Sequence, residues 1–344
     1  MCKMTKEKNS ISEVSGVKFP YGLADNKGYA RQNGLKGLKL LKFWASIYKG
    51  YREANKKLEE TFKKKACYYG PFKGEFGHFT AHTLPFLMYL HKHNVQITYC
   101  GLEIHKPLLI DENGNSIVTK FYALRDFFHE VSPNSNSVIP PKDVQEEINK
   151  FEREAEESGL PFWDIGNDFY YWFIHRNWLG KGHTHLYDLS KYYKTADENA
   201  VCIFPRNKGS KSSFNNGDAW DYEKLIELIN PFFDKIYVVG HPSQSLSIPS
   251  SEKVEIRITA DNAKILEACS NSRLIITQHS GVNNLGEYVR KQVLIIYKGG
   301  NKISDIGSMN NTLRFRGFMK EKLPLNFAFS EDEVVNYAKN LTVK

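Results

Sequence analysis

Apolar positions recur along this chain with two spacings, and the switch between them predicts an α/β protein. Leu40, Trp44, Ile47, Tyr51, Ala54, Leu58 and Phe62 fall at three- and four-residue steps, which places them on one face of a long helix. Lysines with Glu59 and Glu60 fill its other faces, and residues 1–34 before it carry Gly, Asn, Ser and Lys without periodicity. From residue 66 short apolar runs alternate with amphipathic stretches. Ala66–Tyr69 predicts a strand, Gly70–Gly77 a glycine-rich loop, His78–Lys92 a helix and Val95–Cys100 a second strand. Parallel strands need such a crossover, so this is a βαβ unit.

Residues 121–178 are less regular. Pro141–Ser158 reads as a helix rich in Glu and Lys, and Phe169–Phe173 is a run of aromatics. Consecutive side chains cannot all face one cleft, so core packing suits that run, and Trp178 after it, better than stacking on sugar rings. From residue 199 the alternation restarts, with strands at Val201–Phe204, Lys235–Val239, Val254–Ile258, Leu274–Thr277 and Val293–Tyr297. Helices fall between them at Tyr222–Ile229, Asn262–Cys269 and Val282–Tyr288. Glu331–Leu341 closes the chain as a helix entered at Ser330, with Glu333 at the capping-box position. The organisation expected is an extension over 1–65, two facing doubly wound, Rossmann-like α/β domains over 66–198 and 199–330, and a closing helix over 331–344.

A length of 344 residues suits two such domains. The net charge of +8 attracts polyanions, and much of the excess lies between Lys36 and Lys65. Two readings of this basic helix are open: packing on the body of the protein, or lying on an anionic membrane surface. No apolar run is long enough to span a bilayer, and no apolar stretch follows the charged N-terminus as a secretory signal would. The five cysteines are scattered with no C-x-x-C pair, and Cys67, Cys202 and Cys269 sit in or beside apolar runs as core residues. A cytoplasmic protein is expected, peripheral on the inner face of a membrane if the helix binds lipid. No nucleic-acid motif accompanies the charge, which argues against a nucleic-acid-binding protein.

Three segments could carry chemistry. In the first, Glu75 stands between Gly74 and Gly77 at the carboxyl end of a strand, the edge where doubly wound folds bind ligands. A carboxylate there could deprotonate a hydroxyl if burial lifts its pKa, with His78 as the alternative base; the bland reading is a helix cap or a pair with Lys73. In the second, Arg206 and Lys208 follow the first strand of the second half, where cations would neutralise a diphosphate or form an ordinary solvated turn. In the third, the strand Leu274–Thr277 runs into Gln278-His279-Ser280-Gly281 and then a helix. Amides at Ser280 and Gly281 would face phosphate, and Glu287 would accept hydrogen bonds from a ribose or sugar hydroxyl. The spacing around Ser280 is not that of a nucleophile elbow. Gly240-His241-Pro242 ends another strand, where a loop could cradle a nucleotide base.

The histidine pairs His78 with His82, His91 with His93, and His183 with His185 lack a third ligand at metal-binding spacing, so no metal site is expected. An Asp-x-Asp at a strand end, which would hold a metal-bound diphosphate, is missing as well.

The segments Val201–Arg206 and Ile275–Glu287 resemble the donor half of GT-B glycosyltransferases, especially the heptosyltransferase-like group. Gly74-Glu75-Phe76-Gly77 is similar to that group's glycine-rich acceptor-side loop with its acidic base. The resemblance implies an acceptor-side domain over 66–198 and a donor domain over 199–330. It also implies transfer of a sugar from a nucleotide-diphosphate donor to a saccharide or lipid-linked saccharide, inverting and metal-independent, with no cofactor. Arg206, Lys208, Ser280 and Gly281 would hold the diphosphate, and His279, Asn283, Asn284 and Glu287 the donor sugar and ribose. The chain departs from the family's pattern in carrying Gln278-His279 in place of an Asp before the Ser-Gly turn, and Asn283-Asn284 in place of Met-His after it. Alternatives on the same fold are a nucleotide-sugar 2-epimerase and a polysaccharide pyruvyl transferase.

Overall fold

The computed structural model describes residues 27, 29–31, 33–127, 140–166, 170–179, 182–196, 198–206, 220–297, 323 and 325–342. The basic helix spans Gly37–Lys64, with Lys63 and Lys64 in its last turn, where cations complement the helix dipole. It stops at Lys65, whose left-handed φ of 54° turns its N–H back to the carbonyl of Thr61. Ile47, Tyr51, Ala54 and Leu58 are buried, so the apolar stripe read from the sequence faces the protein. Tyr51 packs on Trp178 with ring centroids 5.6 Å apart, and Trp163 Nε1 donates to Thr61 Oγ1 at 3.1 Å. Lys57 Nζ also reaches back, donating to the carbonyl of Phe162 at 2.6 Å. That stripe is therefore unavailable to a bilayer, because the first lobe already covers it.

The first lobe is a four-stranded parallel sheet in the order β3-β2-β1-β4. Its strands are β1 (Ala66–Phe72), β2 (Gln96–Leu102), β3 (Lys120–Leu124) and β4 (Phe162–Asp164). β1 runs three residues beyond the predicted strand, so the glycine-rich loop starts at Lys73. The reason is Gly70: its φ of +136° suits glycine alone, and a Cβ there would sit 2.5 Å from the carbonyl oxygen of Cys100. The backbone thereby stays close to β2, and Phe72 pairs with Gly101 beyond a bulge. Short β3 and β4 were not legible as strands. The helix Lys142–Glu157 covers one face, where Glu154 accepts from Tyr68 at 2.8 Å, from Lys120 at 2.8 Å and from Tyr122. The aromatic run enters a π-helix, Tyr170–Leu179, whose Tyr171, Ile174 and Trp178 are buried in the core.

The second lobe is a six-stranded parallel sheet in the order β10-β9-β8-β5-β6-β7. Its strands are β5 (Ala200–Phe204), β6 (Lys235–Gly240), β7 (Val254–Ile258), β8 (Leu274–Gln278), β9 (Gln292–Ile296) and β10 (Leu325–Ala328). All residues of β5 and β8 are buried, as expected of parallel strands covered on both faces. Within that lobe Cys202 and Cys269 meet, with sulfurs 3.6 Å apart. The closing helix, Glu331–Thr342, is capped at Ser330, whose Oγ accepts from Glu333 N–H at 3.3 Å, while Glu333 Oε2 reaches past the cap to accept from Phe329 N–H at 2.8 Å. Val334 and Ala338 join the apolar core of the second lobe, so β10 and this helix complete that lobe.

The lobes touch through apolar side chains and through two glycines. A Cβ on Gly281 would lie 2.5 Å from the Gly77 nitrogen, so the two backbones meet almost directly. Beside them Asn284 Nδ2 donates to Thr80 Oγ1 at 3.1 Å, and Tyr288 OH donates to the Thr80 carbonyl.

Candidate active site

The carboxyl ends of both sheets open on one cavity of about 370 Å³ between the lobes. From the first lobe it is lined by Gly74 to His78 with Leu102 and Ile104; the second contributes the ends of β5, β6 and β8 and the start of the helix Asn262–Asn271. A mostly apolar cleft with a few convergent polar groups is the usual shape of a small-molecule site.

Glu75 enters this space from the turn after β1. Its backbone starts the helical run 76–92, its carbonyl accepting from the N–H groups of His78 at 3.0 Å and Phe79 at 3.1 Å, but its side chain makes no cap bond. The capping reading therefore falls. Burial pushes the Glu75 carboxyl above its ordinary value, and the Arg206 guanidinium from the opposite lobe opposes that rise. His78 lines the same wall, with its ring beside those of His82 and Tyr171 at 6.1 and 6.3 Å.

Arg206 follows β5 and is held by long contacts, Nη1 to the His279 carbonyl at 3.5 Å and Nη2 to Gln244 Oε1 at 3.4 Å. Its Nε is buried without a hydrogen-bond partner among the described residues. A guanidinium that lines a cavity and holds its present partners only through long contacts can turn to an anion there. Burial, more than Tyr222 or Glu75, sets the Arg206 pKa and pulls it below the ordinary value. Lys208 lies outside the described residues.

Ser280 turns β8 into the 3-10 segment Gly281–Asn284 and caps it, its Oγ accepting from Val282 N–H at 3.3 Å. His279 sits beside it with a pKa lowered to about 4, through burial first and the Arg206 charge second. It is neutral at physiological pH, so it offers hydrogen bonds and no charge to a diphosphate. Asn283 lines the cavity, and its buried Oδ1 lacks a partner among the described residues. Asn284 also lines it, but its amide is engaged by Thr80.

Glu287 is fully buried away from the cavity lining, and both its carboxylate oxygens accept from the Leu323 N–H at 3.1 Å. Gly240 and His241 line the cavity at the end of β6, while Pro242 does not. Gly240 has φ +150°, and a Cβ there would meet Ser245 Oγ at 2.1 Å, so only glycine fits this corner. His241 Nε2 stands 3.5 Å from Asp126 Oδ2 of the first lobe, a further link between the lobes. Among the described residues no three His, Cys, Asp or Glu side chains are grouped to hold a metal ion.

Sequence reasoning missed Gln244, Asn262, Ile265, Leu102 and Ile104, all of which line the cavity. The rule that ligands sit at the carboxyl ends of parallel strands would have found the region after β2 and β7.

Solved glycosyltransferases are similar to this chain. One is a glycosyl transferase family 9 protein from Veillonella parvula, 13% identical, covering 81% of this chain and 96% of its own, with a TM-score of 0.45. Another is the E. coli heptosyltransferase solved with ADP, 10% identical over 80% of this chain and 97% of its own, at a TM-score of 0.46. A third is E. coli ADP-heptose lps heptosyltransferase II, 10% identical over 81% and 98%, at 0.45. No family model matches the sequence, and no curated protein matches it.

Proposed function

We propose that this chain is a glycosyltransferase that moves a sugar from a nucleoside diphosphate to an acceptor hydroxyl, with inversion and without a metal. One observation carries the reading: a desolvated carboxylate, Glu75, and a guanidinium with an unused donor, Arg206, face a single cavity from opposite lobes. Glu75 takes the acceptor proton as the acceptor oxygen bonds to the anomeric carbon. The bond from that carbon to the diphosphate oxygen breaks, and the electron pair leaves with the diphosphate. Arg206 and the Ser280–Gly281 turn receive the developing charge, which is the main electrostatic demand of the step. Asn283, with its unpartnered buried oxygen, orients donor hydroxyls. The acceptor is a saccharide or lipid-linked saccharide, and the reaction serves polysaccharide assembly in the cytoplasm.

Thermal melts of the full chain with ADP, GDP, UDP and CMP test the donor site. A ligand at about 100 times its dissociation constant stabilises the native state by about 2.7 kcal/mol. One of the diphosphates is expected to raise the melting temperature, and Arg206→Met to remove most of that rise. If none of the four changes the melt, the donor-site reading is wrong. Release of nucleoside diphosphate that needs an added acceptor separates transfer from epimerisation.

A further inference from the structure

The helix Gly37–Lys64 presents a second face, opposite the stripe that packs on the first lobe. Leu38, Leu41, Ala45 and Tyr48 follow one another at three- and four-residue steps and point outward. Leu38 is 75% exposed, Leu41 65% and Tyr48 41%, which is half of the large hydrophobic residues that the described part of the chain leaves exposed. Among and around them lie Lys36, Lys39, Lys42, Lys49 and Arg52, all exposed, and the sequence has no acidic residue from Lys36 to Arg52. Lys49 shares its charge with Glu53 at 3.7 Å.

We infer that this outward face, over the first four turns of the helix, docks the protein on an anionic lipid bilayer. A nucleic acid would engage the cations but offers nothing to Leu38 and Leu41, the two most exposed apolar side chains of the face. A bilayer surface satisfies both sets, taking the apolar side chains below the headgroups while the lysines meet lipid phosphates. The helix is already anchored by its buried stripe, so docking needs no release from the body of the protein. The inference rests on the transferase reading only for its purpose, which is to bring the cleft to a lipid-linked acceptor. Vesicle binding is measured without donor or acceptor, so failure of either idea is seen separately.

The test is co-sedimentation of the full chain with phosphatidylglycerol vesicles and with phosphatidylcholine vesicles. Binding to the anionic vesicles is expected to exceed binding to the neutral ones at least tenfold and to fall severalfold in high salt. The triple variant Leu38→Ser, Leu41→Ser, Tyr48→Ser is expected to lose at least tenfold. Lys36→Gln with Lys39→Gln and Lys42→Gln should do the same, with its melting temperature unchanged because all three side chains are exposed. The inference is overturned if the wild-type chain stays in the supernatant, or if the triple variants bind as well as wild type. It is overturned equally if the face drives a concentration-dependent dimer, if it binds duplex DNA in place of vesicles, or if it becomes sticky only after residues 1–26 are removed.

Discussion

The second lobe lays six parallel strands in one sheet and turns between them through short, regular elements. The first manages only four, and its chain departs from α-helical geometry at Phe79–Thr83 and again at Tyr170–Leu179. The earlier departure falls where the first lobe meets the second: Thr80, in that segment, accepts from Asn284 and from Tyr288. π segments recur at functional sites because the extra residue re-aims side chains that a regular helix would bury. In the proposed reaction the regular lobe holds the anion and the irregular one supplies the base. A scaffold for phosphate needs strand ends and turns in a fixed row; a base must be half-desolvated and still reach a second substrate.

The largest expected effect breaks the asymmetry at Glu75. Glu75→Gln removes the proton acceptor at nearly constant volume and should lower kcat by about 10²–10⁴-fold, the range for loss of a general base. Nucleoside diphosphate binding should change little, since Arg206 and the Ser280 turn lie in the other lobe. The carboxyl's pKa is raised in the folded chain, so its ionised form costs stability that the protonated form does not. Its stabilising contribution is complete below the ordinary carboxyl range and disappears as pH rises through the raised value. Glu75→Gln should therefore raise the melting temperature at pH 8 while removing turnover. The acid limb of the wild-type rate profile should lie above the ordinary Glu value. A variant that retains turnover would move the base elsewhere, to His78 first.

A slightly smaller effect separates the lobes by acid. His105 and His175 of the first lobe have pKa values lowered to about 3, in both cases chiefly by burial; His105 stacks on Phe79 at 3.7 Å and His175 bonds to Tyr69 OH at 2.6 Å. The second lobe holds His279, at about 4. A histidine buried neutral binds its proton more weakly folded than unfolded, so its contribution is intact above about pH 6.5 and is lost as pH falls toward the folded value. With two such groups against one, the first lobe should loosen first between pH 6 and 4. Hydrogen exchange corrected for intrinsic rates should then show β1 losing protection before β8; simultaneous loss, or earlier loss from β8, contradicts this order.

The same contrast decides what was legible in the sequence. In the second lobe every predicted strand is present, because Val, Ile and Leu fill strands covered on both faces and polar turns punctuate them. The predicted helices are present too, Val282–Tyr288 beginning as a 3-10 turn before the α-helix Leu285–Val289. β10 went unread; its four residues, Leu325–Ala328, offer too short a run to register. In the first lobe the three-residue strand β4 gives no period to detect, and β1 extends through Gly70 and Pro71, residues that normally announce a turn. Site residues followed the same division. Arg206, Ser280 and Gly281 were placed by their position after strands, and all three line the cavity. Glu287 shows the limit of one-dimensional spacing, since a helix position one turn further on decides between a ligand and the backbone of Leu323. The apolar stripe of the first helix was read correctly as a stripe. Which surface covered it could only come from the fold.

The finest test probes how closely the two lobes must sit. Gly77 and Gly281 face each other, yet a methyl group would be received differently on each. On Gly281 it would fall 2.5 Å from the Gly77 nitrogen, 2.7 Å from the Gly77 Cα and 3.2 Å from the Phe76 carbonyl carbon, all backbone atoms that cannot rotate aside. On Gly77 it would lie 3.1 Å from the Gly281 Cα, which a shift of a few tenths of an ångström relieves. Gly281→Ala should thus cost about 1–3 kcal/mol, the range for overpacking a close contact, and Gly77→Ala less than half as much. Pushing Gly281 away from Gly77 also draws Arg206 and Ser280 away from Glu75, two residues upstream. Gly281→Ala should therefore lower kcat by more than its change in melting temperature predicts, whereas Gly77→Ala should show no such excess. Equal effects in melts and in turnover would mean that the lobes slide freely past this point, and that the base of one and the cation of the other are brought together by substrate instead of by the glycine contact.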